Sequence, residues 1–425
     1  MEATVTVTAL GAIIGMAVAI ILILKKTQPT YAMIAGALAG GIVGGAGLTN
    51  TVNYMVTGTQ GMASSLTRII AAGVLAGTLI ESGAAEKIAE VIVQKLGEKR
   101  GLVAIMIATW LLTAVGVFGD VSCLTVAPIA LAVAKKAHYR SMGVMMALVG
   151  AVRAGNCMSP NSMVIAAADS FGLPLTSVMA VGIPPAIAGL ITTGILSHML
   201  AHKGVELKDD YEEAGKADAC LPTFVAAISG PVVTIVLLVL RPVAGIAIDP
   251  LIALPAGGIV GALVMGQGKK IGSFMASGIA KMSGVVLLLI GTGCLAGIIS
   301  NSELKDVIIS GMETLGLPTL LLAPISGILM GAATASSTAG TTLACQIFGP
   351  TVVASGVSPL AVAGMTHAGT YVFDGLPHGS FFHVSAGSIG MTIQERLKIL
   401  GYEAINGLAM VATSTILFGV LRLVG

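Results

Sequence analysis

Residues 73–97 read GVLAGTLIESGAAEKIAEVIVQKLG, and residues 293–316 read GCLAGIISNSELKDVIISGMETLG. With one residue skipped the two stretches align. Each passes from an apolar helix carrying Leu-Ala-Gly into an amphipathic helix that ends on Leu-Gly. The elements around them correspond too. Two apolar spans precede each copy, at about 5–24 and 31–48 in the first half and about 222–240 and 249–266 in the second. An apolar segment with a polar middle, a proline-interrupted segment and a final span follow each copy. One module used twice is a recurrent plan of transport proteins. It divides the chain into a first repeat (1–200), a polar linker (201–221) and a second repeat (222–425).

Composition identifies the solvent. Of 425 residues, 55 % are hydrophobic and 10 % charged, against about a quarter charged in soluble domains; the mean hydropathy is +0.97. Runs such as VTVTALGAIIGMAVAIILIL from Val5 are long enough to cross a bilayer core. No small-residue cleavage site follows that run, and Lys25 and Lys26 come after it, so it reads as a retained span. The expected fold is all-α and integral to a membrane. A net charge of +2 without a basic, aromatic-interleaved patch excludes nucleic acid as a partner. The five cysteines lie far apart without a CxxC pair, which argues for packing rather than a metal or disulfide framework. No nucleophile–base arrangement or phosphate loop points to an enzyme, and no cofactor is expected, apart from Na⁺ as a possible coupling ion.

The polar-centred segments decide the architecture inside each repeat. Gly119, Asp120 and Ser122 interrupt the apolar run 102–136, and TASSTAGTT (334–342) interrupts 320–350. Each arm is too short to span comfortably, which predicts two re-entrant hairpins whose tips stop within the membrane, against protein or a watery cavity. The proline-interrupted segments pair MSPNSM (158–163) with GLPHGS (375–380). Proline removes a donor and clashes one turn back, so both segments are expected to break near the bilayer centre. Counting each hairpin as no crossing leaves five crossings per repeat, one of them broken. An odd number inverts the second repeat relative to the first. It also places Lys25, Lys87, Lys95, Lys135, Arg140, Lys269, Lys270, Arg396 and Lys398 on the cytoplasmic side, with both termini outside.

SGAAEKIAEVIVQKLGEKRG (82–101), the hairpin after it and SIGMTIQERLKILGYEAI (388–405) resemble the gluconate permease (GntP-type) family of the ion transporter superfamily. GLPHG (375–379) is similar to the Leu-Pro-His-plus-small-residue signature of several carboxylate transporters of that kind. The first break departs from the family's Pro-His-Pro-Gly-like run, and the family's hairpin acid is represented by Asp120. The resemblance implies secondary transport of sugar acids or other small hydroxy- and amino-carboxylates across the cytoplasmic (inner) membrane, usually with protons. It also implies elevator-type movement against an oligomeric scaffold, and a homodimer.

Arg153 stands about 15 Å into its segment at 1.5 Å per residue, where a charge costs at least about 2.5–3.5 kcal/mol. Two readings fit: pairing with Asp120 or with carbonyls freed at the break, or a fork that grips a substrate carboxylate. Asn156, Ser159, Asn161 and Ser162 at the first break, with Ser336, Ser337, Thr338, Thr341 and Thr342 at the second tip, are small polar groups at matched interruptions. They are candidates for substrate binding, as is His378, whose imidazole alternatively bonds hairpin backbone. Asp120, Ser122 and Asp374 are the candidates for ion coupling, Asp120 alternatively capping a helix. The rival to an organic-anion transporter is a cation–proton antiporter, which shares broken helices but relies on several deep acids.

Overall fold

A computed structural model describes residues 6–25, 27–96, 100–207, 221–246, 248–314, 318–377 and 379–424. Among these the chain is helical, apart from connecting turns and an isolated bridge between Val7 and Ser302. The first half comprises α1 (Ala9–Leu24), α2 (Pro29–Val43), α3 (Gly47–Gln60), α4 (Ala63–Glu81), α5 (Ala84–Leu96), α6 (Gly101–Ala114), α7 (Gly119–Ala137), α8 (Ser141–Cys157), α9 (Ser162–Ser170) and α10 (Leu175–Met199). The second comprises α11 (Phe224–Ala244), α12 (Pro250–Val264), α13 (Ile271–Ser300), α14 (Leu304–Thr314), α15 (Leu322–Thr334), α16 (Ser337–Ile347), α17 (Gly349–Ala354), α18 (Pro359–Thr370), α19 (Ser380–Ser388), α20 (Ile393–Leu397) and α21 (Leu400–Ser414).

The expected order of elements is present, with one correction. No helix was read over 49–60, yet GLTNTVNYMVTGTQ forms α3. It is rich in Thr and Asn, so hydropathy passes over it. Its place in the second half is taken by the first turns of α13, which is continuous over 30 residues.

Five helical stretches among the described residues are long and apolar enough to cross a membrane: Ala63–Glu81, Ser141–Ser170, Leu175–Met199, Gly268–Ser300 and Ile393–Val420. Six shorter apolar helices, among them Pro29–Val43 and Pro250–Val264, accompany them. The surface fits lipid. On α10, Ile183, Ile187, Ile191 and Ile195 are 41–60 % exposed, one turn apart on one stripe, while Val178, Ala186, Gly189 and Thr193 on the other face are buried. In water so wide an apolar girdle would aggregate; in a bilayer it is the natural exterior. The protein is an integral membrane protein.

Lipid supplies no hydrophobic drive between helices, so close approach of small residues does that work. α3 and α4 run along α13 in this way. A β-carbon added to Gly58 would collide with Gly293, and one added to Gly278 would collide with Gly73. The chain offset that carries Gly58 onto Gly278 also carries Gly73 onto Gly293. The two halves thus lend each other the same contact. The termini of the helix pairs repeat the exchange: Val7, before α1, bonds Asn301 and Glu303, and Leu221, before α11, lies against Gly83. These helices pack together, and against them lie two helical hairpins, α6–α7 and α15–α16, and two interrupted helices, α8–α9 and α18–α19. Each first arm packs on the interrupted helix of its own half, Gly155 of α8 against Thr113 and Gly327 of α15 against the Thr366 carbonyl.

Candidate functional site

The first interruption forms because Pro160 cannot continue α8. The helix stops at Cys157, and Asn161 restarts it by accepting from the backbone N–H groups of Met163 and Val164, both at 3.1 Å. The same side chain donates to the Asn156 carbonyl at 2.9 Å, spanning the gap. The second interruption follows the end of α18 at Thr370, and α19 begins after Gly379 without a side-chain cap. At the hairpin tips the chain reverses through positive φ, at Gly116 and at Ala335. Ser336 then caps α16, accepting from Ala339 N–H at 3.3 Å, whereas α7 starts uncapped after Phe118.

These four helix starts lie against one another in pairs. A β-carbon on Gly116 would sit 3.8 Å from Pro160, so the first tip rests on the first break; one on Gly379 would overlap the Ala335 carbonyl, so the second tip rests on the second break. The halves join where Ser162 Oγ meets Thr338 Oγ1 at 3.0 Å. Gly119 leaves room for Val152 of α8, which would lie 2.5 Å from its β-carbon, with Asn156 and Phe381 of α19 in contact at 3.5 Å. Among the described residues two buried hydroxyls, Ser159 at the first break and Ser122 at the start of α7, have no hydrogen-bond partner. An unpartnered buried hydroxyl is costly, and helix N-termini carry unused N–H donors and positive dipole ends. Together they suit a small anionic or hydroxylated solute.

The other expected residues find definite places. Thr342 donates to the Thr338 carbonyl at 2.7 Å, and Thr341 lies 3.4 Å from Thr370 Oγ1. Ser337 opens α16, and Asp120 lies in the first turn of α7, both half-buried. His378 lies outside the described residues.

Arg153 is 1 % exposed and fully engaged, but not with Asp120. Its Nε and Nη2 donate to Asp374 Oδ1 at 3.0 and 2.6 Å, Nη2 also to Glu403 Oε2 at 2.8 Å, and Nη1 to the Glu403 carbonyl at 3.0 Å. Glu403 in turn holds Arg396 Nη1, and Arg396 Nε donates to Ser385 at 3.2 Å above the Phe382 ring. This corrects the placement of Arg396 on the cytoplasmic surface: it is wholly buried. Burial of four ions is tolerable because each carboxylate faces a guanidinium. Gly375 is required beside them, since a β-carbon would stand 2.6 Å from Glu403 Oε2 and 2.9 Å from Arg153 Nη2. Glu403 escaped the sequence reading. The available signal was its spacing of seven from Arg396, two helical turns within an apolar span.

A crevice of about 160 Å³ opens elsewhere, lined by Arg68, Asp169, Asp249, Thr176 and apolar residues. Its guanidinium is already bonded to both carboxylates, so it offers no spare cation to an anion. Arg68 also holds the Asp249 carboxyl, outside the apolar helices, below its ordinary range.

The model of the GntP family permease matches residues 7–256, more than half of the chain. The chain belongs to the GntP permease family. A model of the Na⁺-H⁺ antiporter family matches residues 225–315. This GntP-family chain is 53 % identical to an uncharacterized transporter of Haemophilus influenzae over 98 % of its own length and 99 % of the relative's. It is 23 % identical to the high-affinity gluconate transporter of Escherichia coli, covering 91 % and 93 %. The solved YdaH transporter of Alcanivorax borkumensis shares its fold at a TM-score of 0.62 and 17 % identity, over 89 % of both chains. Family membership makes the protein a permease and not an enzyme.

Proposed function

We propose that this permease is a secondary active transporter of a small organic anion, a sugar acid, hydroxy acid or related carboxylate, coupled to H⁺ or Na⁺ across the cytoplasmic membrane. The observation that carries this reading is the Ser162–Thr338 contact at 3.0 Å. It joins the break of one half to the hairpin tip of the other, while Ser159 of the same break and Ser122 of the first hairpin keep buried hydroxyls with no hydrogen-bond partner among the described residues. In such sites half-helix N-termini face the carboxylate while unwound backbone and hydroxyls take the rest of the solute. The binding set is Asn156, Ser159, Asn161, Ser162, Ser336, Ser337, Thr338, Thr341, Thr342 and His378, with Arg153 behind it.

The exchanged glycine contacts of α3–α4 with α13 support two inverted repeats, 1–200 and 222–425, joined by 201–221. The hairpins then act as re-entrant elements and move with the interrupted helices past the α1–α4 and α11–α13 frame, in an elevator fashion within a homodimer. The gluconate transporter among the relatives supports the substrate class. The antiporter reading has one observation in its favour, the match over 225–315. That match covers α11 to α14 and includes neither interruption, so the transporter of an organic solute is preferred.

Uptake into proteoliposomes of a labelled panel of sugar acids, hydroxy acids and amino acids, under imposed H⁺ or Na⁺ gradients, tests this. At least one carboxylate should accumulate. Na⁺-for-H⁺ exchange with no carboxylate moving would replace the reading by the antiporter.

A further inference from the structure

The transport reading leaves unexplained why four ions are buried beside the second break. We infer that Asp374 is a proton-loading site that competes with the substrate carboxylate for Arg153, making the cycle electroneutral for a monoanion. The inference rests on the proposed function and names its coupling ion.

The geometry separates the two carboxylates. Glu403 is locked from both sides, Oε1 by Arg396 and Oε2 by Arg153, with its own carbonyl bonded to Arg153 Nη1. It is 1 % exposed, and it ties α21 to α8 and α20. Asp374 instead sits in the non-helical break, takes both of its Arg153 bonds on Oδ1, and retains 7 % exposure against 0–1 % for the other three ions. It is therefore the member of the quartet that can exchange a proton with water entering the break. The groups facing it are Arg153 of α8, Glu403 of α21, Arg396 of α20 and the buried Tyr371 hydroxyl of the same break, which has no hydrogen-bond partner among the described residues. Cys157 ends α8 beside His367 of α18, at 3.9 Å, and His383 of α19 is turned to the Pro377 carbonyl.

Charge balance then gives the cycle. With both carboxylates ionised, two guanidinium groups face two anions and the quartet is neutral. A proton from water adds to the Asp374 carboxylate, giving a neutral acid, and the Nε and Nη2 donors of Arg153 lose their charged acceptor. The quartet now carries one positive charge, buried where an unpaired charge is disfavoured. The carboxylate of a monoanionic substrate at the breaks restores neutrality by taking that edge of Arg153 in the bidentate manner its fork allows. Substrate release lets Asp374 reclaim Arg153 as its proton leaves. Empty and loaded forms carry the same charge, so the membrane potential exerts no net drive. A gradient of one pH unit supports about tenfold accumulation.

Two measurements test this separately from the transport reading. The first needs no substrate: infrared difference spectra of the purified protein across a pH titration. Wild type should develop a protonated-carboxyl band on acidification. Asp374→Asn, which keeps an oxygen for Arg153, should lose a component that Asp120→Asn retains. A band unchanged in Asp374→Asn overturns the inference whatever is transported. The second uses D-gluconate as the probe in proteoliposomes. Wild type should accumulate it about tenfold per pH unit, inside alkaline, without response to a valinomycin–K⁺ potential; Asp374→Asn should only equilibrate it. Accumulation driven by Na⁺ or by the potential overturns the inference while leaving the transporter reading intact. Loss of the band in Asp374→Asn without movement of any carboxylate would instead sink the transport reading and keep the proton site.

Discussion

Replacing Glu403 by Gln tests the buried quartet most sharply, because it keeps the shape and removes one charge. Arg153 retains Asp374 through its two bonds at 2.6 and 3.0 Å. Arg396 fares worse: it loses its charged partner and keeps only the neutral amide oxygen that Gln can turn to it, Ser385 Oγ at 3.2 Å and the face of Phe382, with its ring centroid 5.1 Å away. Its Nη2 has no hydrogen-bond partner among the described residues even in the native protein. Removing one partner of a buried pair costs about 3–5 kcal/mol. Most of that cost should fall on the lone Arg396. The double variant Glu403→Gln/Arg396→Met removes the stranded charge and leaves Arg153 and Asp374 as a neutral pair. Its loss should therefore be smaller than that of Glu403→Gln alone, a departure from additivity of the kind contacting residues show. Equilibrium unfolding in mixed dodecyl sulfate micelles measures all three free energies. A double variant whose loss equals the sum of the two single losses would refute the coupling, as would a Glu403→Gln protein within about 0.5 kcal/mol of wild type, the range of ordinary surface changes.

Other consequences follow from single contacts. Gly375→Ala pushes a β-carbon onto Glu403 Oε2 and Arg153 Nη2, so it should destabilise by about 1–3 kcal/mol, as overpacking does, in the same unfolding assay. Gly278→Leu forces α13 off Gly73 of α4; the purified protein should melt earlier than the control Gly272→Leu, whose β-carbon meets open space. Asp249→Asn should cost under about 1 kcal/mol, since its carboxylate is 42 % exposed and such pairs are weak. Because Arg68 holds the Asp249 carboxyl below its ordinary 3.8, its contribution is present above that value and fades as pH falls through the lower folded one. The stability difference between wild type and Asp249→Asn should therefore narrow below about pH 4.

Much of this was legible in the chain because polar residues are conspicuous in an apolar context. Pro160, Asn161 and the 334–342 run mark the interruptions by composition alone, and the matched stretches 73–97 and 293–316 gave the order of elements. What stayed hidden depends on neighbours. Arg396 and Lys398 look alike in sequence as cytoplasmic cations, yet only Arg396 turns inward, drawn by a glutamate two turns on and by Phe382. Arg153 has its partner 221 residues away, beyond any local pattern. α3 was missed because hydropathy passes over a helix rich in Thr and Asn: Thr49, Asn53 and Thr57 are exposed, while Thr51 is fully buried and donates to the Gly47 carbonyl.

The central claim is that solute passes between the first break and the second hairpin tip. A Ser162→Cys/Thr338→Cys variant tests it directly, since the native hydroxyls are 3.0 Å apart. Oxidation of that pair in proteoliposomes, with wild type as the control for native thiols, should abolish uptake of whichever panel carboxylate the transporter accumulates, and a reductant should restore it. Uptake at the wild-type rate by the fully cross-linked protein would contradict the account.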